Sequence, residues 1–356
     1  MRRKSIVLIS NNFWTLFRFR YEIIKHLVKS GFHVHLIAEM DGYQDKFSRV
    51  NMTFCHNVNF SGRSMNLFNE LRTYLKMQKL LNTIKPLYLF SYTIKPNIYS
   101  GYLCRKLNIN HIPMVTGFGY FFNILKKPLR KIVHYFIKQS FLHAKEVWFT
   151  NISDKKYYID NKIIDETKKT TLIMGAGINF DNIQPIKTSK NTEITFVMIA
   201  RLLNEKGTSE FVQAAKYFFK FNKFKFILVG GHENNKHYIK KYIIDHAVRD
   251  NILEYSGFTD DINKHYNRAS CIVLPSYREG FPKVLMEAAA CGRPSITTNV
   301  PGCKDAVVNN YTGIVIPVKN SRKLANEIQN LLNNKSKIKQ MGINARHYAL
   351  KNFDIN

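Results

Sequence analysis

Short runs of β-branched and aromatic residues alternate with helical periodicity along the whole of this 356-residue chain. In the first half Ile6–Ser10, His33–Ala38, Met52–Asn57, Leu87–Ser91, Ile112–Thr116, Glu146–Thr150 and Thr171–Met174 read as strands. Helices such as Arg18–Ser30, Leu67–Leu81 and Pro128–Ala144 run between them, and Gly31 closes the first after a lysine in its last turn. The second half repeats the plan, with strands at Ile194–Ala200, Phe224–Val229, Ile252–Tyr255, Cys271–Pro275, Pro294–Thr297 and Gly313–Ile316. Strands separated by helices join by crossovers, and so form parallel sheets in an α/β fold. Residues 179–192 are polar, carry Pro185 and lack periodicity, which marks a domain boundary. The chain therefore predicts two doubly wound parallel-sheet domains, 1–180 and 191–356, with a linker at about 181–190 and a cleft between them. Ligands of such sheets bind beyond the carboxyl ends of the strands.

Composition narrows the partners. A hydrophobic content of 45% excludes general disorder. Five scattered cysteines show no zinc or redox spacing and read as reduced thiols of a cytoplasmic protein. The apolar run after Met1-Arg-Arg-Lys is too short for a secretory signal, and no run is long enough to span a bilayer. The net charge of +29 is uneven: residues 1–180 carry 28 Lys and Arg against 10 Asp and Glu. Between Arg63 and Lys138 the sole acid is Glu70, against 13 bases. Abundant Asn, Lys and Ile raise the lysine count generally but do not explain why acids avoid this segment. A polyanionic partner does. No nucleic-acid module is visible, whereas residues 121–138 mix bases with large apolar and aromatic side chains, as a segment lying in lipid headgroups does. An ordinary amphipathic helix packed on its own domain is the competing reading; an anionic membrane surface is preferred, with no nucleic acid.

Chemistry concentrates in the second half. Tyr277-Arg-Glu-Gly-Phe-Pro-Lys-Val-Leu-Met-Glu287 places Glu279 and Glu287 on either side of a helix start, with seven residues between them. Pro282 suits the first helical position, and the helix reads from Lys283 to Cys291 before Gly292 and Pro294. Its N–H groups and positive dipole end attract an anion, while the carboxylates can grip hydroxyls. That combination suits a sugar nucleotide. Arg201 lies just past a strand and Lys206 just before a helix, so a planar fork and a point charge share one lip. On so basic a chain both can equally be surface bases. Gly230-Gly231 and Gly257 follow the next two strands and allow close backbone approach, or simply end those strands. Phe258 either lies near a nucleobase or fills a core. His232, His237 and His246 do not stack on one helical face and read as solvated rather than as metal ligands.

Taken in order, Ala200-Arg-Leu-x-x-x-Lys-Gly207, Leu274-Pro-Ser-x-x-Glu-Gly-Phe-Pro282 and Glu287-Ala-x-Ala-Cys-Gly-x-Pro294 resemble the family-four retaining glycosyltransferases. Their fold is GT-B, with two Rossmann-like domains. Asn344-Ala-Arg346 and Asn352-Phe353 resemble that family's closing helix. The resemblance implies that Glu279 bonds to the donor sugar and Glu287 to the ribose. It also implies that Arg201 and Lys206 neutralise the departing diphosphate, helped by backbone N–H groups near Gly280, Phe281 and Lys283. No cofactor or metal is implied, the two cations standing in for Mg²⁺. Transfer would retain the anomeric configuration, so the two glutamates are not a glycosidase pair.

The first domain would then hold the acceptor. Asn11-Asn12-Phe13 stands where members often have a Gly-Gly loop, and Phe118 where many have a histidine, so no catalytic histidine is assigned. The turn Thr116-Gly117-Phe118-Gly119 and the loop Thr93-Ile-Lys95-Pro-Asn97 resemble a subgroup acting on polyprenyl-diphosphate-linked sugars. There Lys95 would meet an acceptor phosphate, unless it is a plain surface lysine. The implied partners are a nucleotide sugar, most commonly UDP-linked, and a lipid-linked saccharide at the inner membrane face. Two other classes stay in view: a sugar-nucleotide epimerase of the same shape, and a non-catalytic adaptor using only the basic surface.

Overall fold

The computed structural model describes residues 4–60, 67–117, 127–183, 193–219 and 224–355. Phe118, Gly119 and the aromatic stretch 121–126 lie outside the described residues. The chain divides into two compact units, Met1–Ala176 and Gly177–Asn356.

The first unit is built on a parallel sheet of β1 (Ser5–Asn12), β2 (His33–Glu39), β3 (Thr53–Asn57), β4 (Tyr88–Tyr92), β5 (Asn110–Val115), β6 (Val147–Phe149) and β7 (Thr170–Leu172). Their spatial order is β3-β2-β1-β4-β5-β6-β7. Alternation within β1 explains why it is apolar throughout. Ile6 and Leu8 enter the core under helix Phe13–Lys29, while Val7 and Ile9 enter the opposite core under helices Leu67–Ile84 and Ile94–Leu107. A third core lies under helix Lys127–Phe141. The first helix starts at Phe13, five residues before the sequence predicts, because the Asn12 side chain accepts from Thr15 N–H at 3.1 Å and caps it. Among the described residues no helix is long and apolar enough to cross a membrane.

The second unit holds β8 (Ile194–Ile199), β9 (Phe224–Val229), β10 (Glu254–Tyr255), β11 (Cys271–Leu274), β12 (Ser295–Thr298) and β13 (Gly313–Ile316). They are parallel and ordered β10-β9-β8-β11-β12-β13. In each sheet the order reverses once, between β1 and β4 and between β8 and β11. Those reversals open the crevices where doubly wound sheets take ligands. Residues 177–180, given by sequence to the first domain, pack in the second. Ile178 N–H donates to Phe353 at 2.7 Å and Ile355 N–H returns to Ile178 at 3.1 Å. The Ile178 side chain joins Met286, Ala345 and Phe353 in a small core.

Candidate active site

Three segments converge past the carboxyl ends of β8 and β11. The β8 exit carries Arg201, exposed, and then a short 3-10 turn, Asn204–Lys206. Gly207 follows at φ +74°, where a Cβ would stand 2.1 Å from the Pro275 carbonyl oxygen. Only glycine lets the two loops press together in this way. Tyr277 N–H donates to the Glu205 carbonyl at 2.8 Å and completes the junction.

Across that junction Lys206 Nζ donates to Glu279 Oε1 at 2.6 Å, with the side chains 16% and 13% exposed. Ser276 Oγ donates to the same oxygen at 2.9 Å. Among the described residues Glu279 Oε2 has no hydrogen-bond partner, and Arg201 has neither hydrogen bond nor ion pair through its guanidinium. The site thus presents one carboxylate oxygen, the remaining N–H donors of an ammonium and a full guanidinium fork. Beside them Glu205 is half-buried, with Oε2 unpartnered. Burial pushes its carboxyl above the usual range, against the pull of Lys206 and Arg201.

Helix Lys283–Ala290 begins at Lys283 as the sequence reads it, with Pro282 as its N-cap rather than its first helical residue. Proline offers no side-chain cap, and the Pro282 carbonyl takes Leu285 N–H at 3.1 Å. The N–H group of Val284, in the first turn, has no intrahelical acceptor. At the other end Gly292 and Arg293 N–H groups return to Ala289 and Ala288 at 2.9 and 2.8 Å, closing the helix on schedule. Glu287 is 3% exposed, and its Oε2 accepts from Tyr266 Oη at 2.8 Å while Oε1 stands 4.0 Å from Lys283 Nζ. The Phe281 ring packs edge-on against Phe353, so its backbone is what the site can use.

The glycine loops are also brought together. Gly230 N–H donates to Gly257 at 2.8 Å, and a Cβ at Gly230 would stand 1.7 Å from the Ala200 carbonyl oxygen. Gly231 faces Phe258. Phe258 is 61% exposed, which corrects the core reading and leaves its ring available.

In the first unit Asn11 and Thr93 meet at the β1/β4 reversal, Thr93 Oγ1 donating to Asn11 Oδ1 at 2.9 Å. Asn12 spends its side chain on the cap. Lys95 Nζ is held by Glu70 at 2.7 Å, the one acid of that basic stretch. Gly117 follows β5 at φ +107°. Motif reasoning missed Ser276, Tyr266 and Glu205. Ser276 stands inside the quoted Leu-Pro-Ser run, so its place was visible but its role was not. Tyr266 reaches Glu287 from another helix and leaves no sequence signal.

Two parallel-sheet units, the second carrying Arg201, Lys206 and Glu279 at its strand-order reversal, have the make-up of a GT-B glycosyltransferase. Residues 179–348 match the family described as glycosyl transferases group 1, and residues 5–151 that described as glycosyl transferase 4-like. The two matches together take in most of the chain, which is a glycosyltransferase. It is 27% identical over 353 residues to the N,N'-diacetylbacillosaminyl-diphospho-undecaprenol alpha-1,3-N-acetylgalactosaminyltransferase of Campylobacter jejuni, covering 95% of this chain and 92% of that one. It is 24% identical to the UDP-Gal:alpha-D-GlcNAc-diphosphoundecaprenol alpha-1,3-galactosyltransferase of Escherichia coli, over 91% and 86% of the two chains. Anabaena HepE, solved with UDP and glucose, superposes with a TM-score of 0.80 over 99% and 96% of the chains, at 16% identity. At that identity the likeness speaks for the fold.

Proposed function

We propose that the protein is a retaining, metal-independent glycosyltransferase. It moves a hexose or N-acetylhexosamine from a UDP-linked donor to a saccharide on a lipid diphosphate, at the cytoplasmic face of the membrane. The observation that carries the reading is the Lys206–Glu279 pair beside Arg201 at the β8/β11 reversal. As the bond from the anomeric carbon to the diphosphate oxygen breaks, charge gathers on that oxygen. Arg201, Lys206 and the N–H group of Val284 are the donors that meet it. Glu279 Oε2 accepts from a sugar hydroxyl, and Glu287 from the ribose. An acceptor hydroxyl forms the new glycosidic bond on the same face, its proton passing to the leaving phosphate.

Both relatives quoted above are named for diphospho-undecaprenol substrates, which supports the acceptor class. The Escherichia coli relative is named for UDP-Gal, which supports the donor class. The first unit's excess of bases supports a peripheral place on an anionic bilayer. Transfer from UDP-, GDP- and TDP-sugars to a short-chain prenyl-diphosphate saccharide, in EDTA, tests the proposal. Lys206→Ala is expected to lower kcat by about 10²–10³. Full turnover by that variant, or an absolute need for Mg²⁺, would refute the mechanism. Complete isomerisation of donor alone would favour an epimerase, and biological activity surviving Glu279→Ala an adaptor.

A further inference from the structure

Helix Phe13–Lys29 turns Phe13, Leu16, Arg20 and Ile24 to the core. Three of these four are what a buried helical stripe requires; the arginine is not. Arg20 is 6% exposed. Its guanidinium carbon stands 4.3 Å above the Tyr92 ring. Nη2 donates to Met114 Sδ at 3.1 Å, and Nη1 to the Phe19 carbonyl at 3.4 Å. No carboxylate meets it among the described residues. Five N–H donors are therefore served by one thioether, one long carbonyl contact and a π face. An interior cation kept this way costs stability that a leucine or methionine would not.

Its position suggests what the cost maintains. Tyr92 is the last residue of β4, and Met114 is next to last in β5. Both stand at the carboxyl edge beside the β1/β4 reversal, where Asn11 and Thr93 already meet. Thr93 itself is held at φ +74°, a conformation a β-branched residue adopts only under constraint. Arg20 thus backs the crevice in which the first sheet would take its ligand.

We propose that Arg20 is the receptor for a phosphoryl oxyanion of the acceptor. A phosphate entering at the β1/β4 reversal takes N–H donors from the guanidinium in place of the Met114 sulfur and Phe19 carbonyl contacts, while the Tyr92 ring keeps the fork oriented. The inference rests on the acceptor class proposed above and assigns that class a residue the motifs do not touch.

The test uses the full chain with Arg20→Met and Arg20→Lys. Thermal melts are recorded alone, with farnesyl diphosphate and with uncharged farnesol. Arg20→Met is expected to melt no lower than wild type without ligand, and to lose the upward shift that farnesyl diphosphate gives. Farnesol should shift neither protein. In transfer assays the acceptor KM should rise tenfold or more in Arg20→Met, and less in Arg20→Lys, while the donor KM holds. Should the methionine variant fail to fold, Arg20→Lys carries the kinetic test, because an ammonium lacks the fork. An unchanged acceptor KM, a retained diphosphate shift, or an equal shift with farnesol would overturn the assignment. Absence of transfer to any lipid-linked acceptor by wild type would instead remove the underlying reading.

Discussion

Gly207 is where a single hydrogen in place of a methyl decides the geometry of the site. Its φ of +74° and the 2.1 Å that would separate a Cβ from the Pro275 oxygen are two independent penalties. Gly207→Ala is therefore expected to destabilise the fold by roughly 3 kcal/mol, read as a lowered urea midpoint with unchanged slope. Lys206 is the neighbouring residue, so surviving folded enzyme should also lose turnover. Much of this site was legible in the sequence because Arg201, Lys206, Glu279 and Glu287 sit at strand ends and a helix start, where local rules apply. Ser276 and Tyr266 were not legible as partners, since a hydroxyl's role depends on which carboxylate the tertiary fold delivers to it. Arg20 left a trace in retrospect: four residues after Leu16 and four before Ile24, it occupies a core position with a cation.

At the scale of elements, β2 and β3 pair at one edge of the first sheet and line up His33, His35 and His56 on the face toward helix Leu67–Ile84. With Ser5, Lys76, Lys79 and neighbours they line a cavity of about 590 Å³. His35 Nδ1 and His56 Nε2 are 3.0 Å apart, a contact that needs one donor and one acceptor. Burial, and then His56 and His33, push His35 down to about 4, and burial lowers His56. The folded state therefore prefers neutral rings, and the unfolded chain binds more protons below about pH 6.5. The stability these rings contribute is present above that pH and lost as pH falls toward 4. Urea midpoints measured across this window should fall, and His35→Gln should flatten the slope. The thirteen strands among the described residues were legible because short β-branched runs alternate with helical patterns. The start of the first helix was less so, because the Asn12 cap depends on how β1 ends.

For the molecule as a whole, charge and apolar exposure fall on the same helices of the first unit. Phe68, Leu71 and Leu75 form an exposed stripe on one helix, and Ile132, Tyr135 and Phe136 on another, among Arg72, Lys76, Lys131 and Lys138. The proposed contact with an anionic bilayer would use such a face by insertion and by charge together. Co-sedimentation with phosphatidylglycerol vesicles should weaken tenfold or more when Ile132, Tyr135 and Phe136 are replaced by serine, whereas added salt alone should weaken it only in part. Unaltered sedimentation of the triple variant would move the contact elsewhere. The pairing of Ile178 with Asp354 bears on the architecture in another way. Residue 178, at the start of the second unit, and residues 353–355 are stitched side by side. Holding Ile178 against the segment Phe353–Ile355 closes a loop of nearly the whole second unit, and the entropy of that closure grows only slowly with length.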